Sequence, residues 1–241
     1  MKYLIINGSP RKKNTWAIVE HVKNNLKGDF EEIHLSKNQI PLCNGCSNCI
    51  FKGEDYCPHH DFIKPIIDKI NECDAIIMTS PVYALNVSAV LKNFLDHTAY
   101  LYHRPQFFTK KALVVVSTAG AGHKKVAKYI DETLRHWGVN KVYRIHIACG
   151  GKTSLDSKQI DGISKKFRSD VESKKLHSPK FGDIIFFNVW RALSLDGGIP
   201  ADKEFWHETG LVNHDFSTDV KLGAVKKLFS KIMFAILKRV M

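Results

Sequence analysis

No apolar run in the chain is long enough to cross a bilayer; the strongly apolar stretches are all strand-sized. The opening residues, Met1 to Ser9, have neither the apolar length nor the cleavage pattern of a secretion signal, so a cytoplasmic protein is expected. There is no collagen-like period, no internal repeat and no low-complexity linker. No zinc-finger, helix-turn-helix or RNP signature accompanies the net charge of +12, so nucleic acid is not an expected partner. The two common nucleotide loops, G-x-x-x-x-G-K-[ST] and G-x-G-x-x-G, are missing as well. What is present is 241 residues, 44% hydrophobic and 25% charged, enough for one well-buried domain with an appendage.

The charge is uneven. Residues 178–241 carry nine Lys/Arg against seven Asp/Glu, a net of +2, which leaves +10 on the first 177 residues. A basic surface of that kind steers anionic partners such as nucleotides, or docks acidic electron carriers.

Four of the six cysteines fall within fifteen residues, as Cys43-x2-Cys46-x2-Cys49-x7-Cys57. In a reducing compartment such a cluster points to metal ligands or redox thiols before disulfides. Gly45 between the first two gives the loop the freedom to converge on one centre. The compact run and the Cys57-Pro58 ending resemble ferredoxin-type ligation of an iron–sulfur cluster, though the gap of seven is wider. A zinc site usually pairs two separated knuckles, which this run does not resemble. A [4Fe-4S] cluster, bare thiols and zinc all remain open. Cys73 and Cys149 abut strands and read as inert core thiols; His59 and His60 are the one histidine pair near the loop.

Up to residue 177 the pattern alternates strand and helix five times. The strands are "KYLIIN", "FEEIHL", "DAIIMTS", "KALVVVST" and "KVYRIHIAC". The helices are expected after Asn14, after Asp61 as cap, over Val87–His97, over Lys124–Trp137 and over Ser157–Lys175. In the second of these, Phe62, Ile63, Ile66, Ile67 and Ile70 form one inward stripe. The pattern predicts an α/β fold, a doubly wound five-stranded parallel sheet with helices on both faces. In such sheets ligands sit beyond the carboxyl ends of the strands at the switch point. The loops after the first, third and fourth strands, "GSPRKKNT", "SPVYALN" and "STAGAGH", are therefore the candidate site. The first offers hydroxyls, an amide, cations and a helix start, a combination suited to a phosphate monoester. The second and third offer a flat, stiff surface and small residues for close approach to an aromatic ring.

The pair G-S-P-R-x-x-N-T and S-P-V-Y resembles the flavodoxin-like NADPH-dependent FMN reductase family, and the cysteine run resembles its iron–sulfur flavoprotein branch. The likeness covers residues 1 to about 175. It implies FMN with its phosphate at Ser9, Arg11, Asn14 and Thr15. It implies a flavin ring against Pro81, Val82 and Tyr83, with Thr118, Ala119 and Gly120 on the other loop, and cluster ligands at Cys43, Cys46, Cys49 and Cys57. It also implies NADH or NADPH as hydride donor, a quinone, flavin or protein acceptor, and a homodimer or homotetramer whose neighbouring subunit closes the site. Hydride transfer needs no protein acid or base, so no catalytic residue is assigned; Tyr83 and His123 are placed near the ring. Two other readings stay open, a flavodoxin-type electron carrier, which the basic charge disfavours, and a zinc-containing binding module.

From Ser178 the alternation stops. Residues 178–241 are expected to form a helical C-terminal extension beside the flavin-binding domain of residues 1–177. Its last helix carries Leu222, Val225, Phe229, Ile232 and Ile236 on one stripe, with six Lys/Arg and no acid from Val220 onward. Packing of that stripe on the body or a partner subunit is the leading expectation, ahead of contact with an anionic lipid surface.

Overall fold

The computed structural model describes residues 1–150, 157–196 and 198–240. The chain order is β1 (Lys2–Asn7), α1 (Asn14–Asn25), β2 (Asp29–His34), the short turn α2 (Asn48–Phe51) and α3 (His60–Glu72). It continues through β3 (Ala75–Pro81), α4 (Ala89–His97), the single turn α5 (Tyr100–His103), β4 (Lys111–Thr118), α6 (His123–His136), β5 (Lys141–Ala148) and α7 (Ser157–Glu172). Three helices close the chain: α8 (Phe181–Asp196), α9 (Pro200–Glu208) and α10 (Ala224–Val240).

The strands form one parallel sheet in the order β2-β1-β3-β4-β5, the flavodoxin-like doubly wound arrangement expected from the alternation. Because side chains alternate across a strand, each apolar strand supplies two cores. Leu4 and Ile6 of β1 face α3, α4 and α6 together with Met78, Val114 and Val116. Tyr3 and Ile5 face α1 and α7 with Ile77, Leu113 and Val115. All eight residues of β4 are buried. Burial on both faces leaves only the strand ends for ligands. The register sets Asn7 beside Thr79, and Pro81 beside Ser117, at the carboxyl edge.

Helix boundaries differ from expectation in local ways. α3 starts at His60 behind His59, so Asp61 lies in the first turn, where its charge meets the helix dipole instead of capping it. Phe62 is exposed and does not join the buried Ile63, Ile66, Ile67 and Ile70; four places before Ile66 in the first turn, it falls at the edge of their stripe. α4 is capped by Ser88, whose side chain accepts from Leu91 N.

The closing helices build a third apolar cluster around Phe187, Trp206 and Phe216, which takes in Phe108 from the segment before β4. Arg135, in the last turn of α6, binds Asp183 of α8 at 2.5 Å. Trp206 is fully buried and its indole N–H donates to His103 O at 2.9 Å. The stripe expected to pack on the body does so only in part. Leu222 and Phe229 join the third cluster, while Val225, Ile232 and Ile236 are 75%, 51% and 50% exposed. The helix turns its Ser230 face, not this stripe, towards α8.

Trp206→Ala is expected to destabilise the whole chain by about 3–5 kcal/mol, in a single unfolding transition. Denaturant unfolding followed by circular dichroism checks this; a separate early transition would show that the closing helices melt on their own.

Candidate functional site

At the end of β1 the buried amide of Asn7 organises the first loop. Its Oδ1 accepts from Ser9 N at 3.0 Å and from Thr79 Oγ1 at 2.7 Å. Its Nδ2 lies 2.9 Å from His34 Nδ1. The loop then enters α1 with no side-chain cap and no acid in the first turn. The leading N–H groups of α1 are therefore open donors at the positive end of the helix dipole. Ser9 Oγ donates to Arg11 O at 2.7 Å, and Thr15 Oγ1 pairs with Ser117 Oγ at 2.7 Å. Such a hydroxyl pair uses one proton and leaves the other free to donate.

After β3 the chain makes a tight antiparallel turn in which Tyr83 and Asn86 exchange backbone hydrogen bonds of 3.0 and 2.9 Å. Its two central residues, Ala84 and Leu85, have φ of +46° and +60°. Turns of this hand normally carry Asn or Gly, and a non-glycine pair stores strain of about 1–3 kcal/mol per residue. The turn leans on the loop after β4. A Cβ on Gly122, which has φ +90°, would stand 3.0 Å from Val82 Cγ1 and 3.1 Å from Leu85 Cδ2. Arg11 Nη2 donates to Tyr83 OH at 3.5 Å, joining the loops after β1 and β3.

These loops enclose a cavity of about 360 Å³. Nine of the ten residues expected from the sequence line it: Ser9, Arg11, Asn14, Thr15, Pro81, Val82, Tyr83, Thr118 and Ala119. Gly120 does not, and no atom would crowd a side chain there. Close approach falls on Gly122 instead, since that glycine meets the strained turn. Lys13 and Ser117 also line the cavity; both lie in the candidate loops but were not singled out as site residues. Ser117 opens the glycine-bearing segment while still in β4, and only the sheet register brings it opposite Pro81. His123 lies outside the lining, its ring 5.4 Å from that of His146 and tilted against it by 44°. Burial, and then the nearby His123, holds His146 below the ordinary histidine range.

The cysteine loop runs between β2 and α3 and is held by side chains from the α4–α5 segment. Asn93 Oδ1 accepts from Cys43 N at 2.9 Å, and Asn93 Nδ2 donates to Ile40 O and Pro41 O. His97 lies 2.9 Å from Pro41 O through Nε2 and 3.7 Å from Cys57 Sγ through Nδ1. A carbonyl only accepts, so Nε2 carries a proton there, and Nδ1 is the ring nitrogen that faces the Cys57 thiol. Arg104 is 1% exposed. It donates to Ile50 O at 3.1 Å, to Cys49 O, to Glu54 Oε2 at 3.1 Å and to Asp202 Oδ1 at 2.7 Å. Asp202 also binds His103 Nδ1 at 2.8 Å. Through this arginine the closing helices hold the loop.

Cys43, Cys49 and Cys57 are half-buried, Cys46 is exposed, and all are free thiols. Burial, followed by the neighbouring Cys57 and Cys43, pushes the Cys49 thiol up; burial does the same for Cys57, opposed by the His59 amide. Four thiols on one loop fit soft-metal or iron–sulfur ligation in donor type. Among the described residues no three His, Cys, Asp or Glu side chains stand together as a ligating group, so convergence requires the loop to close. Gly45, at φ +66° with no atom within 4 Å of a built Cβ, lies where it can. The His59–His60 pair does not meet the cysteines as a unit. His60 turns to Glu54 O, and His97, from a helix forty residues on, is the histidine facing Cys57.

Residues 1–151 match the model of a family described as NADPH-dependent FMN reductase. The chain belongs to that family. An iron–sulfur flavoprotein of Archaeoglobus fulgidus is 32% identical over 88% of this chain and the whole of its own length. One from Methanocaldococcus jannaschii is 38% identical over 41% of this chain and 52% of its own, so that match spans about half of the relative. Among solved structures, the flavoenzyme NAD(P)H:(acceptor) oxidoreductase FerB of Paracoccus denitrificans superposes with a TM-score of 0.53 at 17% identity, over 73% of this chain and 99% of that one. That likeness bears on the fold. As a member of the FMN reductase family the chain is a flavoprotein oxidoreductase.

In this family member the Arg104–Asp202 pair makes a direct prediction. Asp202→Asn is expected to loosen the cysteine loop, since breaking a buried pair at one partner costs about 3–5 kcal/mol. Mass-spectrometric alkylation of metal-free protein should show Cys49 and Cys57 reacting at least about threefold faster than in the parent, with buried Cys73 and Cys149 unchanged. Equal rates at all sites would show that α9 does not hold the loop.

Proposed function

We propose that the protein is an FMN-dependent oxidoreductase that takes a hydride from NADH or NADPH and passes electrons to a quinone, a flavin or an acidic protein acceptor. Residues 1–177 form the FMN-binding unit and 178–241 its helical extension. The observation that carries the reading is one cavity, at the β1/β3 switch point, assembled from three loops in a member of the FMN reductase family. Bound FMN supplies the hydride acceptance and onward electron transfer. The phosphate is held by Arg11, Asn14, the open N–H groups of α1, and the second hydroxyl proton of the Thr15–Ser117 pair, the one not used between them. Ser9 joins them by turning its hydroxyl from Arg11 O. Pro81, Val82 and Tyr83 form one wall for the ring, and Thr118 and Ala119, with Gly120 beyond them, the other. The cations of the first loop favour the anionic charge of the phosphate and of the reduced ring.

The proposal extends to Cys43, Cys46, Cys49 and Cys57 as ligands of a [4Fe-4S] cluster, which supplies one-electron transfer. The free thiols and the relatives called iron–sulfur flavoproteins support it. Clustered thiols also suit a cytoplasmic setting. A homodimer or homotetramer completes the reading: Tyr83 and Leu85 are 39% and 57% exposed at the mouth of the cavity, a surface for a second subunit to cover.

Anaerobic purification followed by flavin, iron and sulfide quantification tests the whole. One FMN and about four irons per chain are expected, with iron lost and flavin kept in Cys46→Ser. Flavin without iron removes the cluster, zinc in place of iron favours a structural metal, and failure to bind FMN on reconstitution overturns the function. Thr15→Val should weaken FMN binding about 5- to 30-fold, read by fluorescence titration, because it removes one of the two hydroxyls of the Thr15–Ser117 pair and with it a donor to the charged phosphate. Unchanged affinity would remove Thr15 from the phosphate site.

A further inference from the structure

From the exposed face of α10, we propose that this helix lies on anionic lipid surfaces and holds the protein at the membrane as a peripheral guest. The helix has two differently used apolar sides. One faces α8: Ser230 is buried there, its Oγ accepts from Asn188 Nδ2 at 2.7 Å, and Phe234 lies over the Arg191 guanidinium at 3.7 Å. The other side is open. Val225, Leu228, Ile232, Ile236 and Val240 are 75%, 61%, 51%, 50% and 74% exposed. Their spacing of three, four, four and four residues places them on one face of the helix. Phe181, at the start of α8, meets Phe229 edge-on at 4.9 Å and is itself 46% exposed, which carries the apolar surface onto the neighbouring helix. Apolar surface of this extent on a single face marks an interaction site.

Charge decides the occupant. Lys227, Lys231 and Lys238 form a row beside that face, with Lys221 and Arg239 near its two ends. All five are exposed, and among the described residues none pairs with an acidic side chain. No acid occurs from Val220 to the end of the chain. A second copy of the helix laid on this face brings two rows of like charge together, which opposes pairing. Anionic headgroups neutralise the same row while the aliphatic side chains enter the acyl boundary and the lysines reach back to the interface. The mode is contact, not spanning: no helix among the described residues is long and apolar enough to cross a membrane. α8 is anchored at Arg135, in the turn of α6 farthest from the loop after β4. None of this depends on which cofactor the cavity holds.

The test uses the full chain and sedimentation with vesicles of phosphatidylcholine alone or with about one third phosphatidylglycerol, at about 0.15 M salt. Binding to the anionic vesicles at least about tenfold stronger than to the neutral ones is expected, weakening as salt is raised. L228E/I232E should remove it, and K227Q/K231Q should reduce it several-fold, with thermal midpoints by circular dichroism close to the parent's because all four side chains face solvent. Absence of a preference for anionic vesicles overturns the proposal without any variant. So does binding by L228E/I232E equal to the parent's. An oligomer in light scattering that L228E/I232E dissociates assigns the face to a second copy and overturns it too.

Discussion

Burial of the parallel sheet on both faces is the constraint on which the rest of the structure depends. With β1, β3 and β4 covered by helices above and below, the backbone can meet a ligand only at the strand ends. The order β2-β1-β3-β4-β5 then opens a crevice between the ends of β1 and β3, where connections depart in opposite directions. Asn7 stands at that point. Fully buried, it binds Thr79 in the next strand and Ser9 in its own loop, so the position of the first loop follows from the sheet register.

Rigidity at the cavity has a cost, and it falls on the loop after β3. Ala84 and Leu85 hold a left-handed backbone that neither prefers, kept in place by the Tyr83–Asn86 bridge and by contact with Gly122. Strain of this kind persists only where surrounding structure over-determines it. Here it fixes the Tyr83 ring at the mouth of the cavity and presents Leu85 beside it.

The cysteine loop is governed by a different interaction. Buried Arg104 donates through Nη1 and Nη2 to two carboxylates and two loop carbonyls, which balances its charge and fixes the loop backbone at Cys49 and Ile50. One of those carboxylates comes from α9, so the closing helices are structurally part of the loop's support. Of the thiols themselves, Cys43, Cys49 and Cys57 are half-buried and Cys46 is exposed, and all four are free.

Fold and cavity were legible in the sequence because both rest on local signals. Apolar strand runs alternating with helical stripes dictate a parallel sheet, and the sheet dictates which loops hold a ligand, so nine of the ten expected cavity residues meet. The family resemblance in G-S-P-R-x-x-N-T and S-P-V-Y rests on the same short segments. Contacts between segments distant in sequence were not legible. Ser117 joins Thr15 across 102 residues, Asp202 reaches Arg104 across 98, and His97 rather than His59 or His60 faces Cys57. No spacing rule encodes such pairs, because they exist only once the sheet has fixed the register. The fate of the last helix was undetermined for the same reason: a stripe of apolar residues specifies an amphipathic helix, but which side meets α8 and which is left to solvent depends on how the helices pack.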